Sequence, residues 1–419
     1  MITLVEALNY RCLRYVQRPL KPFHVLVGPN ASGKTTFLDV IGFLSDLMSE
    51  GLEAAISDRT PDPQALLFRG FGDRLELAVE ARIPDQLCGL TIRPELDTAR
   101  YQLAIGFDET ERRFEIKAET LLLTKNAGLE NVQRSIFPMP SAAPDSLLAN
   151  IRGPNNKVVI NKVPDGNDNF YSETHPANRG WAPSFKLGSR KSALGNLVAD
   201  ADSYPVATWL REYLTTGVQR FVLNSLTIRR PSPPARIAGF LPDGSNLPWV
   251  VAGLRKRDRE RHEAWVDHLR TALPDLIDIS TFERPEDKHC YMVYEYRGGF
   301  KVPSWLVSDG TLRLTALTLP AYVTDLKGIY LVEEPENGIH PLAVTTVYDS
   351  LSSIYEAQLL MATHSPVVLS SANMNDVLCF AKDDEGATDI VLGSEHPALR
   401  QWKGAVDPGT LLGSGVLGD

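Results

Sequence analysis

The sequence predicts an α/β fold organised around a parallel sheet, and three observations carry that expectation. An apolar strand, Phe23 to Val27, runs directly into Gly28-Pro29-Asn30-Ala31-Ser32-Gly33-Lys34-Thr35, a glycine-rich phosphate-binding loop. A second apolar run, Ile329 to Val332, ends in the paired carboxylates Glu333 and Glu334. A third, Leu359 to Ala362, leads through Thr363 to His364 and then Ser365-Pro366, where proline discourages further pairing. Buried parallel strands read as continuous hydrophobic stretches, and ligands gather at their carboxyl ends. Lysine and threonine, two glutamates and a histidine therefore meet at one sheet edge.

The remaining elements follow from hydrophobic periodicity. Ile2 to Leu8, Leu75 to Ile83, Tyr101 to Phe107 and Arg113 to Leu122 have strand character, and Thr35 to Leu47 continues the loop as a helix. Residues from about 126 to 235 are rich in Pro, Asn, Ser and Gly, with short candidate elements at Lys157 to Val163 and near Pro205 to Leu214. Apolar spacing predicts helices at about Asn246 to Arg255 and Arg261 to Leu273, then strands near Leu276 to Phe282 and His289 to Tyr296. Ser308-Asp309-Gly310-Thr311 precedes apolar residues at helical spacing and reads as a helix N-cap. Asp383-Asp384-Glu385, between Phe380 and Ile390, reads as a hairpin turn rather than a nuclease metal site.

The chemistry of the loop is specific. Glycines let backbone N–H groups wrap a phosphate chain, and the following helix presents its positive end to the same anion. Lys34 is placed to neutralise β/γ oxygens and the Thr35 hydroxyl to hold Mg²⁺, with Thr36 extending the nucleotide-binding set. An isolated histidine is more often structural. At a strand end downstream of such a loop and a paired-carboxylate strand, His364 reads instead as a catalytic residue.

Composition agrees. The 419 residues can bury a large core, and the formal net charge of −9 argues against a uniformly basic nucleic-acid coat. Local basic stretches remain at Arg229-Arg230 and Arg255-Lys256-Arg257-Asp258-Arg259-Glu260-Arg261. The second reads either as a solvated face of Arg/Glu pairs or as a contact to DNA phosphates through Arg255, Lys256, Arg257 and Arg259, which only salt dependence separates. Apolar runs are shorter than a membrane span and no signal-peptide layout opens the chain, so no membrane is expected. Cys12, Cys88, Cys290 and Cys379 are isolated from one another, which suggests neither a zinc cluster nor a disulfide framework and fits a reducing cytoplasm.

In their order, the motifs resemble those of ABC-type ATPase heads of the SMC/RecF/OLD group, in particular the bacterial AAA15/AAA21-like ATPases. Gly28 to Thr35 matches Walker A, Ser308-Asp309-Gly310-Thr311-Leu312-Arg313 the signature loop, Glu333-Glu334-Pro335-Glu336-Asn337-Gly338-Ile339-His340-Pro341 Walker B and the D-loop, and Thr363-His364-Ser365-Pro366 the switch histidine. Asp243-Gly244-Ser245-Asn246-Leu247 also resembles a segment common in the group. Asp309 stands where transporters carry a second glycine, Glu333 replaces the usual Walker B aspartate, and His340 replaces the D-loop aspartate; the first two changes are common in the OLD/AAA15-like branch. Gln64 and Gln86 lie where a Q-loop glutamine is expected, and Arg11 where SMC-like heads often carry a phosphate-proximal arginine.

The resemblance implies a P-loop NTPase, an ABC/SMC-like ATPase head of two lobes with an inserted α+β region. Residues 1–125 would form the first lobe, 126–285 the family-variable insertion and 286–419 the second lobe. ATP and Mg²⁺ are the implied ligands, with Glu334 orienting the attacking water, Glu333 supporting the metal and His364 sensing the γ-phosphate. Two heads would meet head to tail, Ser308, Asp309 and Gly310 of each closing on the nucleotide of the other. Some 300 residues separate Lys34 from Glu334, more than a compact transporter subunit would have and without the heptads of an SMC arm. Only 55 residues follow His364, too few for the Toprim nuclease domain of OLD-type proteins. The expected function is an ATP-hydrolysing, dimerising head that regulates a separate effector such as a co-encoded nuclease, in anti-phage defence. A RecF-like repair ATPase is the alternative, and the energising subunit of a transporter a more distant one.

Overall fold

The computed structural model describes residues 1–108, 111–125, 128, 135–149, 155–163, 166–176, 183–198, 200–234, 239–324 and 326–400. Along the chain, β1 (Ile2–Tyr10) and β2 (Leu13–Pro19) form a hairpin, and β3 (Phe23–Val27) runs into α1 (Lys34–Ser49) and the short α2 (Leu52–Ser57). Next come β4 (Arg74–Arg82), α3 (Asp85–Cys88), β5 (Thr98–Asp108), β6 (Arg113–Thr124), β7 (Asn156–Lys162), β8 (Asp168–Phe170) and β9 (Ser184–Phe185). Then follow α4 (Pro205–Thr215), β10 (Val218–Phe221), α5 (Ser225–Ile228), α6 (Leu247–Arg257), α7 (Arg259–Arg270), β11 (Leu276–Glu283), β12 (Cys290–Tyr296) and β13 (Phe300–Pro303). The chain continues through α8 (Asp309–Thr318), β14 (Ile329–Glu333), α9 (Pro341–Ser352), β15 (Gln358–Ala362), α10 (Pro366–Ser371), β16 (Val377–Lys382), β17 (Thr388–Leu392) and α11 (Pro397–Arg400).

Two large sheets sandwich α1. One has the order β2-β1-β4-β5-β6-β7-β8-β9 and is antiparallel throughout; the other has the order β10-β14-β15-β3-β16-β17 and is parallel except for β17. The period-two alternation of the parallel strands divides the interior into two cores. Leu26, Leu331, Leu360 and Phe380 face α1 and the antiparallel sheet, while Val25, Val27, Val332, Met361 and Cys379 face a second core with α6 to α10 and the small sheet β11-β12-β13. Helix α1 carries Phe37, Leu38, Val40, Ile41, Phe43 and Leu44 into the first core, which is why so apolar a helix follows the loop.

Five strands, β2, β8, β9, β10 and β13, were not predicted from sequence, and two of them shape the large sheets around the loop. In β2 the apolar positions are interrupted by Arg14, Gln17 and Arg18, and the hairpin depends on a reversal at Asn9 and Arg11, both at positive φ. Strand β10 is four residues long, with Gln219 and Arg220 at its centre, and is recognisable only by its pairing with β14. That pairing also alters the picture of residues 126–285. Strands β7 to β9 extend the first sheet, α4 packs on α1, and β10 forms an edge of the parallel sheet, so the segment contributes to both large sheets. The hairpin turn at Asp383 is present: its Oδ1 accepts from Ala387 N at 2.8 Å, and Glu385 pairs with Arg14. No helix among the described residues is long and apolar enough to cross a membrane, and the four cysteines are unpaired.

Candidate functional site

The loop after β3 wraps the start of α1 with backbone that only particular residues allow. Gly33, the residue before α1, sits at φ 107°, and a Cβ there would lie 2.4 Å from Thr388 Oγ1. A Cβ on Gly28 would lie 2.3 Å from the Phe380 carbonyl oxygen, so both glycines are needed for the loop to lie close against β16 and β17. No side chain caps α1, which leaves its first amides for an anion. Thr388 Oγ1 donates to the Ser32 carbonyl at 2.9 Å and ties the loop to β17.

Lys34 is buried, and its Nζ turns back onto the carbonyls of Gly28 at 2.9 Å and Pro29 at 2.8 Å. Burial lowers its pKa to about 8, opposed by Glu334 and Glu333. Thr35 Oγ1 donates to Glu333 Oε2 at 2.5 Å, linking the first turn of α1 to the end of β14. Glu334 follows at φ 47°, held by its N–H on the Ala362 carbonyl at 2.8 Å and by Asn337 Nδ2 donating to its Oε2. A non-glycine residue in that region is strained, and here the strain swings the carboxylate out of the strand into the cleft. His364 Nε2 lies 3.8 Å from Glu334 Oε1, and burial together with the charge of Lys34 lowers its pKa.

These groups line one cleft of about 380 Å³, with Asn30, Ala31, Ser32, Gly33, Thr36, Arg11, Cys12, Ala362 and Lys382. A hydroxyl and a carboxylate in contact form a hard oxygen donor pair of the kind Mg²⁺ takes, and the buried Ser32 Oγ has no partner of its own. The residues therefore fit a metal-bound nucleoside triphosphate.

Sequence reasoning overlooked some of this. Glu336 supports the switch region, its Oε1 accepting from Thr363 Oγ1 at 2.6 Å and from His364 N at 2.9 Å. Its place two residues beyond the glutamate pair was the available signal. Cys12 and Lys382 reach the cleft only through the β1–β2 turn and the end of β16. Arg11 lines the cleft, yet its guanidinium sits 3.6 Å from Asp39 and donates to the Arg59 carbonyl. Gln64 and Gln86 are exposed and do not line the cleft. His340 caps α9, its Nδ1 accepting from Leu342 N at 3.3 Å.

Ser308, Asp309 and Gly310 lie outside the cleft, at the start of α8. Ser308 is the N-cap expected from sequence, accepting from Thr311 N at 3.3 Å. The basic run spans the end of α6 and the start of α7, the latter beginning at Arg259 rather than Arg261 because Asp258 caps it. Arg255 pairs with Asp278 at 2.8 Å, Arg259 with Glu263 at 2.8 Å and Arg261 with Asp258 at 3.3 Å.

Fold and cleft together define a nucleotide-binding P-loop protein with the architecture of SMC head domains. Residues 23–370 match the sequence model of the family AAA_21, described as AAA domain, putative AbiEii toxin, Type IV TA system, and the chain belongs to that family. Among solved structures, an Smc head bound to the C-winged helix domain of ScpA is similar, with a TM-score of 0.54 at 14% identity over 93% of this chain and 96% of that one. An Smc head domain with an extended coiled coil, bound to the C-terminal domain of ScpA derived from Pyrococcus furiosus, gives 0.51 at 13% identity, covering 93% and 95%. At such identities these structures speak to fold alone. No curated protein sequence matches the chain.

Proposed function

We propose that this chain is an ATP-hydrolysing head that dimerises on ATP and controls a separate effector. The observation that carries the reading is the convergence of Lys34, the Thr35–Glu333 pair, Glu334 and His364 on one cleft. Phosphoryl transfer asks a protein chiefly for positioning and electrostatic stabilisation. Lys34 leaves the loop carbonyls for the β/γ oxygens, Glu334 orients the attacking water and accepts its proton, and His364 reads the γ-phosphate from the next strand. Thr35 and Glu333 would hold Mg²⁺, which supplies further charge neutralisation there.

The nucleotide cleft lacks the signature residues, which favours their acting on a second copy. Leu226 of α5, Leu306 just before α8 and Leu342 of α9 are 70%, 70% and 82% exposed, an apolar complement on the elements around that loop. The family description names a putative toxin of a Type IV TA system, which favours a role beside a co-encoded partner in defence over a transporter; a cytoplasmic location is part of the same proposal. Direct DNA contact, if made, falls to the Arg255, Lys256, Arg257 and Arg259 stretch, and Arg255 and Arg259 are already paired with carboxylates.

The test is turnover of ATP by the purified protein with Mg²⁺, alongside the same preparation incubated with DNA and RNA. ATP hydrolysis that vanishes in Lys34→Ala, with nucleic acids left intact, supports the reading. Undiminished hydrolysis in Lys34→Ala would falsify the loop assignment, and metal-dependent cleavage of nucleic acid would overturn the regulator role.

A further inference from the structure

A carboxylate in a loop that must approach a triphosphate is an electrostatic contradiction, and Asp309 places one there. Its neighbours resolve it. The Arg229 guanidinium donates through Nη1 to the carbonyls of Trp305 at 3.0 Å and Val307 at 2.7 Å, and through Nη2 to the Asp309 carboxylate. Ser304 Oγ donates to the Arg229 carbonyl at 3.2 Å, so the segment 304–309 is tied to this one residue at four points. The planar guanidinium presents these donors from two nitrogens in a fixed fork, which holds two carbonyls and a carboxylate in one geometry.

Arg229 is itself anchored. It closes α5, which follows β10, and β10 pairs with β14, Phe221 opposite Val332. From the other side, the loop after β14 presses on the start of α8, where a Cβ on Gly310 would lie 2.7 Å from the Gly338 carbonyl oxygen. The start of α8 is thus held between segments that follow two adjacent strands, one of which carries Glu333 and Glu334.

We propose that Arg229 is a positioning residue for the signature loop: it neutralises Asp309 and fixes the loop's backbone, so that Ser308 and Gly310 can close on the triphosphate of a second copy. The inference rests on the head-to-tail reading above and adds a residue from outside the recognised motifs. It also accounts for an aspartate where transporters have glycine. The carboxylate serves as the handle by which the loop is held, turned towards Arg229 rather than towards phosphate.

The experiment uses the full chain. Arg229→Gln keeps the side chain polar and removes the charge. It should bind ATP at its own P-loop with the wild-type Kd, which also reports a folded protein, while turnover falls roughly tenfold to a hundredfold. Mixed with Lys34→Ala protomers it should regain activity, as Ser308→Arg should in a parallel mixture, because one composite site is then whole. Adding Asp309→Gly to Arg229→Gln should recover part of the lost turnover, since the uncompensated charge is gone. Wild-type turnover in Arg229→Gln overturns the inference. So does a double variant no better than Arg229→Gln. If Ser308→Arg complements Lys34→Ala but Arg229→Gln does not, the positioning role fails while the head-to-tail reading stands. If neither complements despite subunit exchange, that reading fails and takes the inference with it.

Discussion

The chain builds two helix starts that its motifs associate with phosphate, and they are built in opposite ways. At α1 the preceding residue is a glycine at φ 107°, no side chain caps the amides, the nearest charge is a buried lysine, and the site opens into a cleft. At α8 the cap is a serine already engaged with Thr311, the first turn carries an aspartate, and that aspartate is taken by Arg229. Helix N-termini attract anions through free N–H groups and the macrodipole, so the first is poised to bind alone. The second has its local demands met within the protomer. The difference suggests a division of labour in which one end loads nucleotide and the other completes a site only on assembly.

The largest effect that would sharpen this contrast is at Lys34. Lys34→Ala should remove ATP turnover and weaken nucleotide binding, measured by steady-state hydrolysis and by titration of a fluorescent nucleotide. A Ser308→Arg variant should be equally inactive in turnover yet bind nucleotide normally. Equal loss of binding in both would dissolve the distinction between the two helix starts.

Next in size is Glu334→Gln, whose amide keeps the shape but accepts no proton; hydrolysis should slow by about 10²–10⁴ while ATP still binds. Should Glu333→Gln give the slow, tight-binding form and Glu334→Gln stay active, the two carboxylate roles are reversed.

A pH experiment sharpens the comparison further. With its pKa lowered to about 8, Lys34 is protonated below that pH and increasingly neutral above it. Affinity for ATP should therefore fall as pH rises through 8, and binding above pH 8 should take up protons. The nucleotide-free protein should respond in the opposite sense. Between the folded pKa and the ordinary lysine value near 10.5, the unfolded chain holds the extra proton, so Lys34 contributes stability that increases with pH across that window. Both slopes should disappear in Lys34→Ala, in calorimetry of binding and in thermal melts; persistence of the affinity slope would assign it elsewhere.

The smallest effect is at the other helix start. Ser308→Ala removes the cap of α8 and should lower stability by about 1 kcal/mol, within the range for such caps, read as a shift in denaturant midpoint. No comparable cap exists to be lost at Gly33.

How much of this was legible from sequence depends on where the information sits. The loop, β3, β14 and β15 were readable because short buried strands ending in chemically distinctive residues announce themselves locally. The Ser308 cap and the turn at Asp383 were readable for the same reason. What escaped was information held in pairing. Val218-Gln219-Arg220-Phe221 becomes a strand only because β14 offers it a partner, and β2 is fixed by its register with β1. Arg229 appeared in the sequence as part of a basic stretch, and nothing local connects it to Asp309, 80 positions away. Glu336 was inside a recognised motif, but its service to Thr363 and His364 emerges only once β14 and β15 lie side by side.

The central claim, that nucleotide held by one head is enclosed by the signature loop of another, is tested most directly by sedimentation of Glu334→Gln with ATP and Mg²⁺. The expected result is a monomer that becomes a dimer on adding ATP, a shift abolished when Ser308→Arg is introduced into the same chain. A protein that stays monomeric with saturating ATP, or one that dimerises equally well with Ser308→Arg, would contradict it.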